Sequence, residues 1–200
     1  MRMDLAAFSS PPPTWQEIFG NTNPVEVEIG FGKGAFLLAL ARHHPERNFF
    51  GVEFMKHWAF RLSSLLERDG PSNTIVVHAD FTCLVETMIW PDSVSAYHLY
   101  FPDPWWKRRH AHRRLFPPHQ LGFAAALVRT LMPQGKIFLA SDVQAYFEQI
   151  VQQFSALPPL QQFPWERDQV TKKGKLIATD FEQKYRKEGR AIFYAGFEKL

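Results

Sequence analysis

Apolar positions along the chain follow two alternating patterns. Short apolar runs, which are typical of buried strands, are separated by segments whose apolar residues recur at helical spacing. The predicted strands cover residues 25–29, 48–52, 74–77, 94–101, 136–140 and 191–197. The predicted helices cover residues 35–41, 55–68, 83–87, 121–131 and 143–154. A Pro-containing stretch at 157–164 and a turn at Pro133-Gln134-Gly135 are expected between them.

This alternation predicts an α/β fold with a doubly wound, mostly parallel sheet and helices on both faces. The last strand is expected to run antiparallel. Two hundred residues suit one domain, which we assign to 25–200 after a short N-terminal arm at 1–24. Ligands of such sheets bind beyond the carboxyl ends of the strands, so the candidate site residues are sought in those loops.

Composition limits the function only loosely. A net charge of +3 and a pI near 9.0 permit a nucleic-acid partner without requiring one. Cys83 is the one cysteine, which excludes a disulfide framework within the chain. No apolar run is long enough to span a membrane, and the N-terminus lacks a signal-peptide pattern. We therefore expect a cytoplasmic protein without a membrane partner, as a monomer or a homodimer.

The turn after the first strand contains three glycines at alternate positions, Gly30, Gly32 and Gly34. Glycines allow a backbone to approach a ligand closely. Glu53, at the end of the second strand, is placed to accept hydrogen bonds from ribose hydroxyls, and Asp80 lies at the adjacent rim. The spacing is commoner in S-adenosylmethionine sites, where Glu28 would help to hold the methionine moiety. It also satisfies a relaxed dinucleotide pattern, and a purely structural turn is a third interpretation.

Three of the acids in these loops have a second interpretation. Glu53, Asp80 and Asp142 each precede a predicted helix. A carboxylate is favoured there as a cap or by the helix dipole, whether or not a ligand binds.

The segment Pro102-Asp103-Pro104-Trp105-Trp106 carries the most specific signal. Two prolines restrict the backbone and remove two N–H donors, so the loop is expected to be rigid. Asp103 then stands at the carboxyl edge of the sheet beside two indole rings, of which one is expected to pack inward. This arrangement favours a pocket that clamps a flat ring and meets a charge.

A basic run follows at 107–114, and further cations lie between 172 and 190. A solvated face is the ordinary interpretation of such a run, but its position beside an aromatic pocket favours RNA phosphates. The predicted RNA contacts are Arg109, His110, His112, Arg113 and Arg114. His110 and His112 have no acidic or thiol ligand close in sequence, so no metal site is expected.

The segment Tyr100–Lys107 resembles the signature of the tRNA (guanine-N7-)-methyltransferase family, Phe-Pro-Asp-Pro-Trp-x-Lys followed by a basic run. Other segments resemble further family motifs in the same order, namely Val27-Glu28-Ile29-Gly30-Phe31-Gly32, Gly51-Val52-Glu53, His78-Ala79-Asp80, Ala140-Ser141-Asp142 and Thr179-Asp180-Phe181-Glu182-Gln183-Lys184. Ser141 stands where the family has Thr, and the N-terminal arm is short. The resemblance implies a Rossmann-like class I enzyme that uses S-adenosylmethionine to methylate N7 of a guanosine in the variable loop of tRNA.

The resemblance also implies roles for individual residues. It assigns contact with the cofactor to Glu28, Gly30, Gly32, Gly34, Glu53, Asp80 and Asp103. It assigns contact with the substrate to Lys107, Asp142, Thr179, Asp180, Phe181 and Glu182. Asp103 is the implied catalytic residue. Because guanine N7 carries a lone pair and no proton, Asp103 is expected to orient and stabilise rather than to act as a base.

Two other function classes stay open at this point. A methyltransferase of another nucleic acid, of a protein or of a small molecule would share the cofactor turn. An RNA-binding module without catalysis would share the basic run.

Overall fold

The computed structural model describes residues 11–105, 109, 114–166 and 177–200. The strands are β1 (Val25–Ile29), β2 (Asn48–Glu53), β3 (Thr74–His78), β4 (Val94–Tyr100), β5 (Leu131–Ser141), β6 (Leu160–Phe163) and β7 (Phe193–Lys199). The helices are α1 (Trp15–Phe19), α2 (Ala35–His43), α3 (Lys56–Asp69), α4 (Phe81–Thr87), α5 (Gly122–Thr130), α6 (Gln144–Ser155) and α7 (Asp180–Lys187). No helix among the described residues is long and apolar enough to cross a membrane.

The strands form one sheet in the order β3-β2-β1-β4-β5-β7-β6. Strands β1 to β5 pair in parallel, whereas β7 is antiparallel to both β5 and β6. The strand order reverses at β1, whose two neighbours are β2 and β4, and this is where such sheets bind ligands. The predicted doubly wound sheet and its antiparallel last strand are confirmed.

Helices cover both faces of the sheet because the side chains of each buried strand alternate between two apolar cores. Apolar side chains of α2 and α3, such as Leu37 and Leu62, pack in one core with Tyr100 of β4. Helices α4, α5 and α6 contribute to the other core, which also contains Tyr97. Both layers are needed, since the central strands are buried on either side.

A buried charged cluster lies on the α2 side of the sheet. Oε1 of Glu26 accepts a hydrogen bond from Arg47 Nη1 at 2.6 Å, and its Oε2 lies 2.7 Å from Nε2 of His98. The other ring nitrogen of His98, Nδ1, lies 2.8 Å from the Tyr100 hydroxyl. Burial by itself would raise the pKa of Glu26. The hydrogen bond and charge of His98, together with those of Arg47, outweigh burial and hold that pKa at about 2.

Helix α1 lies in the stretch predicted as an N-terminal arm. Thr14 and Glu17 form a capping box at its start, and Gly20 ends it in the left-handed conformation. The Trp15 ring packs 5.1 Å from that of Phe50, and its Nε1 donates to the Ser93 hydroxyl at 3.1 Å. Trp15, Ile18 and Phe19 of the predicted arm therefore pack against the core of the sheet.

Some of the predicted loops contain regular structure. The expected turn at Pro133-Gln134-Gly135 lies inside β5, where Gln134 has a φ of 63° and the pairing with β4 is irregular. The stretch 157–164 contains the edge strand β6, where Pro164 just beyond the strand costs no ladder bond. Helix α7 was not predicted, because it is short and mostly polar, with Phe181 and Tyr185 as its large apolar residues.

Candidate functional site

The glycine turn follows β1 at the reversal of the strand order. Gly30, Gly32 and Gly34 all have left-handed backbones, with φ of 75°, 55° and 78°. A side chain at Gly34 would also collide with Leu62 of α3. At Gly30 and Gly32, in contrast, an added Cβ would meet only open space. The turn thus packs against the protein at Gly34 and leaves room for a ligand beside its first two glycines.

Glu53 connects this turn to the start of α3. Its Oε2 accepts the backbone N–H of Gly32 at 2.8 Å, and its Oε1 accepts that of Met55 at 2.8 Å. The side chain is buried, at 6% exposure. Glu53 therefore does act at a helix N-terminus, while it also fixes the glycine turn. A carboxylate oxygen accepts more than one bond, so neither contact prevents contact with a ribose.

The other two acids of the predicted cofactor site differ in exposure. Glu28 is buried in β1, between Gly51 of β2 and His98 of β4 in the strand register. Asp80 is exposed and caps α4, because its Oδ1 accepts the N–H and the hydroxyl of Thr82 at 2.9 and 2.6 Å. The capping interpretation of Asp80 is confirmed, and its contact with a cofactor stays a prediction.

Two large apolar side chains next to Glu53 are open to solvent. Phe54 is 70% exposed and Met55 is 50% exposed. Exposed apolar side chains beside a ligand-binding edge suit a flat apolar ring of the ligand. Sequence reasoning missed them, although two apolar residues directly after the strand's terminal acid were the available signal.

The Pro-Asp-Pro loop leaves β4 with a strained backbone. Phe101 and Trp105, at its two ends, have φ of 53° and 41°, which is unusual for bulky residues. Such strain persists only where neighbours hold it, and it is concentrated at functional sites. Phe101 N–H donates to the Ala140 carbonyl at 2.7 Å, and Arg114 Nε donates to that of Pro104 at 2.6 Å.

Arg114, predicted as an RNA contact, thus holds the end of this loop. Its guanidinium also lies 5.5 Å from the ring centroid of Tyr146 in α6. These contacts join the loop to α6 on the other side of the site.

Asp103 lies in the middle of the loop. Its surface is open to solvent, yet the protein packed around the carboxyl group desolvates it and raises its pKa above the ordinary value. Its charge also contributes to raising the pKa of Tyr146 and of Tyr185, after the larger effect of burial. The loop that carries Asp103 is joined to α6 through Arg114 and contacts α7 through Phe101.

Helix α7 brings the segment 179–182 to the same place. Thr179 caps the helix, with its hydroxyl accepting the N–H of Glu182 at 3.0 Å, and Asp180 occupies the first turn. Phe181 is 51% exposed, and its ring lies 6.5 Å from that of Phe101. Tyr185, one turn later, lies 5.4 Å from Phe101. The aromatic face of α7 therefore borders the Pro-Asp-Pro loop.

Glu182 points away from the solvent. It is fully buried, and its Oε1 accepts hydrogen bonds from Arg186 Nη2 at 3.0 Å and from the Tyr194 hydroxyl at 2.7 Å. A substrate has no access to this side chain in the structure. These contacts instead attach α7 to β7.

Asp142 follows β5 and pairs with a cation. Its Oδ2 lies 3.2 Å from Nη1 of Arg190, and the side chain is 14% exposed. The alternative that Asp142 caps α6 is wrong, because Val143 is the N-cap residue and makes no side-chain cap. Asp142 and Asp103 both contribute to raising the pKa of Tyr185, after the larger effect of burial.

Part of the predicted RNA surface is described. Arg109 is exposed. Lys107, His110, His112 and Arg113 lie outside the described residues, as does Trp106. Trp105 is partly buried. In the described ranges, no group of three His, Cys, Asp or Glu side chains is arranged to hold a metal ion.

Comparison with known proteins decides the family. A family model described as a putative methyltransferase matches residues 22–195. A tRNA (guanine-N(7)-)-methyltransferase of Vibrio vulnificus is 35% identical over 187 residues, covering 93% of this chain and 77% of that protein. The chain belongs to the tRNA (guanine-N(7)-)-methyltransferase family. A Burkholderia thailandensis member of this family is 33% identical over 195 residues, or 98% of this chain and 72% of its own.

Solved structures of lower sequence identity share the fold. The 16S rRNA methyltransferase KamB has a TM-score of 0.65 at 12% identity, covering 96% of this chain and 93% of its own. The aminoglycoside resistance methyltransferase NpmB1 has a TM-score of 0.64 at 16% identity, covering 92% and 91%. The predicted Rossmann-like fold and the predicted methyl donor of the tRNA (guanine-N(7)-)-methyltransferase family, S-adenosylmethionine, are confirmed.

The residues present fit that cofactor. Open space beside Gly30 and Gly32 admits a ligand close to the backbone, and Glu53 supplies acceptors for hydroxyl groups next to it. The exposed Phe54 and Met55 suit an adenine ring. An acidic edge also suits the positive charge of a sulfonium.

Proposed function

We propose that this protein methylates N7 of a guanosine in tRNA, and that the guanosine lies in the variable loop. One observation carries the proposal. Asp103 lies in a loop with left-handed residues at both ends, and β5, α6 and α7 hold that loop beside the point where the strand order reverses. The motif resemblance and the activity for which the relatives are named support N7 of guanosine as the acceptor.

The cofactor roles follow from position. The turn at Gly30, Gly32 and Gly34 admits the ligand, and Glu53 and Asp80 face its hydroxyl groups from the ends of β2 and β3. Glu28 adds negative charge under the turn. When bound, S-adenosylmethionine supplies an electrophilic methyl group on a sulfonium.

The acceptor needs alignment rather than deprotonation. Guanine N7 has a lone pair, and its methylation leaves a positive charge on the purine. A carboxylate held close to that ring stabilises this charge as it develops, and a rigid loop does so without reorganisation. Asp103 fills this role, since strain and the contact between Arg114 and Pro104 fix its loop.

Asp142 recognises the base in this proposal. The N1–H and the 2-amino group of guanine are neighbouring donors, and a carboxylate accepts from both. Adenine offers an acceptor at its N1, so the same carboxylate repels it. Thr179, Asp180 and Phe181 face the substrate from the start of α7, whereas Glu182 holds that helix in place.

The RNA surface comprises Lys107, Arg109, His110, His112 and Arg113, and Arg114 supports it by fixing the loop. Arg109 is the member of this set that the structure describes as exposed. Phosphate contacts by such residues would hold tRNA over the pocket. We place the protein in the cytoplasm, with tRNA as partner, and keep 25–200 as the methyltransferase domain.

Methyl transfer to bulk tRNA tests the proposal. The protein is incubated with labelled S-adenosylmethionine and tRNA lacking the modification, and the nucleosides are separated after digestion. We expect label in 7-methylguanosine. Label in another nucleoside, or cofactor binding without transfer to tRNA, would establish the alternative methyltransferase class, and absence of cofactor binding would establish the non-catalytic module. Mapping the labelled fragment then tests the variable loop.

A further inference from the structure

Arg190 contacts three side chains at the rim of the site. Its Nη1 lies 3.2 Å from Asp142 Oδ2, and its Nε lies 2.7 Å from Glu188 Oε2. Its guanidinium carbon lies 4.6 Å from the ring centroid of Tyr185. In the sequence, Arg190 is one of several cations expected to flank the pocket. In the structure it pairs with two carboxylates.

The end of α7 directs Arg190 toward Asp142. Gly189 is left-handed, with a φ of 67°, and its N–H donates to the Arg186 carbonyl at 3.2 Å. The Arg190 N–H donates to the Tyr185 carbonyl at 3.0 Å. These two bonds and the left-handed glycine form a Schellman motif, which fixes the direction of the chain after the helix. The backbone of Arg190 is therefore held before its side chain makes any contact.

The surroundings of Arg190 favour a role toward Asp142 rather than toward phosphate. Two carboxylates within 3.2 Å already offset its charge. Asp142 is mostly buried, at 14% exposure, whereas Arg190 is half exposed. A single pair at such an exposed position contributes little to folding. Its larger effect is on the orientation of the buried partner.

We propose that Arg190 is a positioning residue that holds the Asp142 carboxylate in the orientation that reads the Watson–Crick edge of the target guanine. This inference rests on the proposed function of Asp142. A carboxylate has about four lone-pair positions, so Oδ2 accepts from Arg190 and from a base at once. Without the guanidinium, the carboxylate rotates away from the two parallel donors of guanine. Arg190 then determines base selection without touching the base.

Base discrimination provides the test. Guanosine and inosine differ by the 2-amino group, so two tRNAs are prepared with one or the other at the position that the wild-type protein methylates. Turnover and equilibrium binding are measured for both, with wild type, Arg190→Ala and Arg190→Lys. We expect Arg190→Ala to lower kcat about tenfold or more and to bring the guanosine-to-inosine ratio close to one. Arg190→Lys restores part of the ratio, because an ammonium still pairs with Asp142.

Two further variants separate positioning from other effects. Lys187→Ala removes an exposed cation from the same helix end and is expected to keep the discrimination. Gly189→Ala strains the left-handed turn and is expected to reduce discrimination while Arg190 itself is kept.

The other possible results would overturn either the inference on Arg190 or the proposed function. A loss in Arg190→Ala that is confined to tRNA affinity, with a salt slope smaller by about 0.7, would make Arg190 a phosphate contact and overturn the inference. Unchanged discrimination would overturn it as well. Failure of the proposed function is distinct, since the wild-type protein would then form no 7-methylguanosine. Once wild-type methylation has located the target guanosine, unchanged discrimination between the two tRNAs would overturn only the inference on Arg190 and leave the proposed function intact.

Discussion

The carboxylate of Glu53 accepts the backbone N–H of Gly32 at 2.8 Å, although the two residues belong to different strand-to-helix turns. This contact sets the position of the glycine turn relative to the end of β2. The proposed cofactor site therefore depends on one buried side chain that serves both as a structural acceptor and as a predicted ligand contact.

Glu53→Gln is expected to weaken the binding of S-adenosylmethionine about 10- to 100-fold, because hydrogen bonds to a charged acceptor contribute about 1.5–3 kcal/mol. Calorimetric titration of the cofactor measures this. Glu67→Gln, on the exposed surface of α3, serves as the matched control. An unchanged dissociation constant in Glu53→Gln would remove Glu53 from the cofactor site.

Asp103→Asn is expected to reduce kcat about 100-fold, since an amide keeps the shape but not the charge that faces the purine. The affinity for tRNA and the melting temperature should stay close to wild type. Single-turnover methylation separates the chemical step from binding. Asp69→Asn, at the exposed end of α3, is the control, and full activity of Asp103→Asn would contradict the proposed catalytic role.

Because of Glu26, the free energy of unfolding is expected to depend on pH in acidic solution. The pKa of Glu26 is about 2 in the folded protein, against an ordinary value of 4.5 for the unfolded chain. Its contribution to the free energy of unfolding is therefore complete above pH 4.5. That contribution, on the order of 3 kcal/mol, is lost as the pH falls from 4.5 to 2. Urea unfolding across this range measures the change. Glu26→Gln should flatten the pH dependence there, whereas the exposed Glu86→Gln should leave it as in wild type.

Tyr194→Phe is expected to lower the free energy of unfolding by about 1–2 kcal/mol, because the buried Glu182 loses a hydroxyl donor. In a protein of this size that lowers the melting temperature by roughly 2–8 °C. Differential scanning calorimetry measures it. An unchanged melting temperature would contradict the role given to this hydrogen bond in attaching α7 to β7.

Binding of tRNA is expected to weaken steeply with salt. Contact with about five phosphates gives a log–log slope of roughly −3.5 to −4.5, and Arg109→Ala should reduce its magnitude by about 0.7. Arg68→Ala, at the exposed end of α3, is the control. An affinity for tRNA that is independent of salt would contradict a phosphate-binding surface.

Several features of the site follow from local sequence. Alternating periods locate β1 to β5 and helices α2 to α6, because buried strands and amphipathic helices impose their spacing on neighbouring residues. The acids Glu53, Asp80, Asp103 and Asp142 follow strands of a parallel sheet, so their common edge could be predicted. The left-handed turn at Gly30–Gly34 is also encoded locally, by glycines alone.

Other features depend on residues distant in sequence, and only the tertiary structure decided them. Glu182 is buried because Tyr194 of β7 and Arg186 surround it, and Arg190 meets Asp142 across a separation of 48 residues. The positive φ of Phe101 is held by the Ala140 carbonyl of β5. The sequence by itself thus determined which chemical groups stand at the edge of the sheet. Packing between strands and helices decided which of those groups are buried and paired, because burial and pairing depend on contacts that no local pattern records.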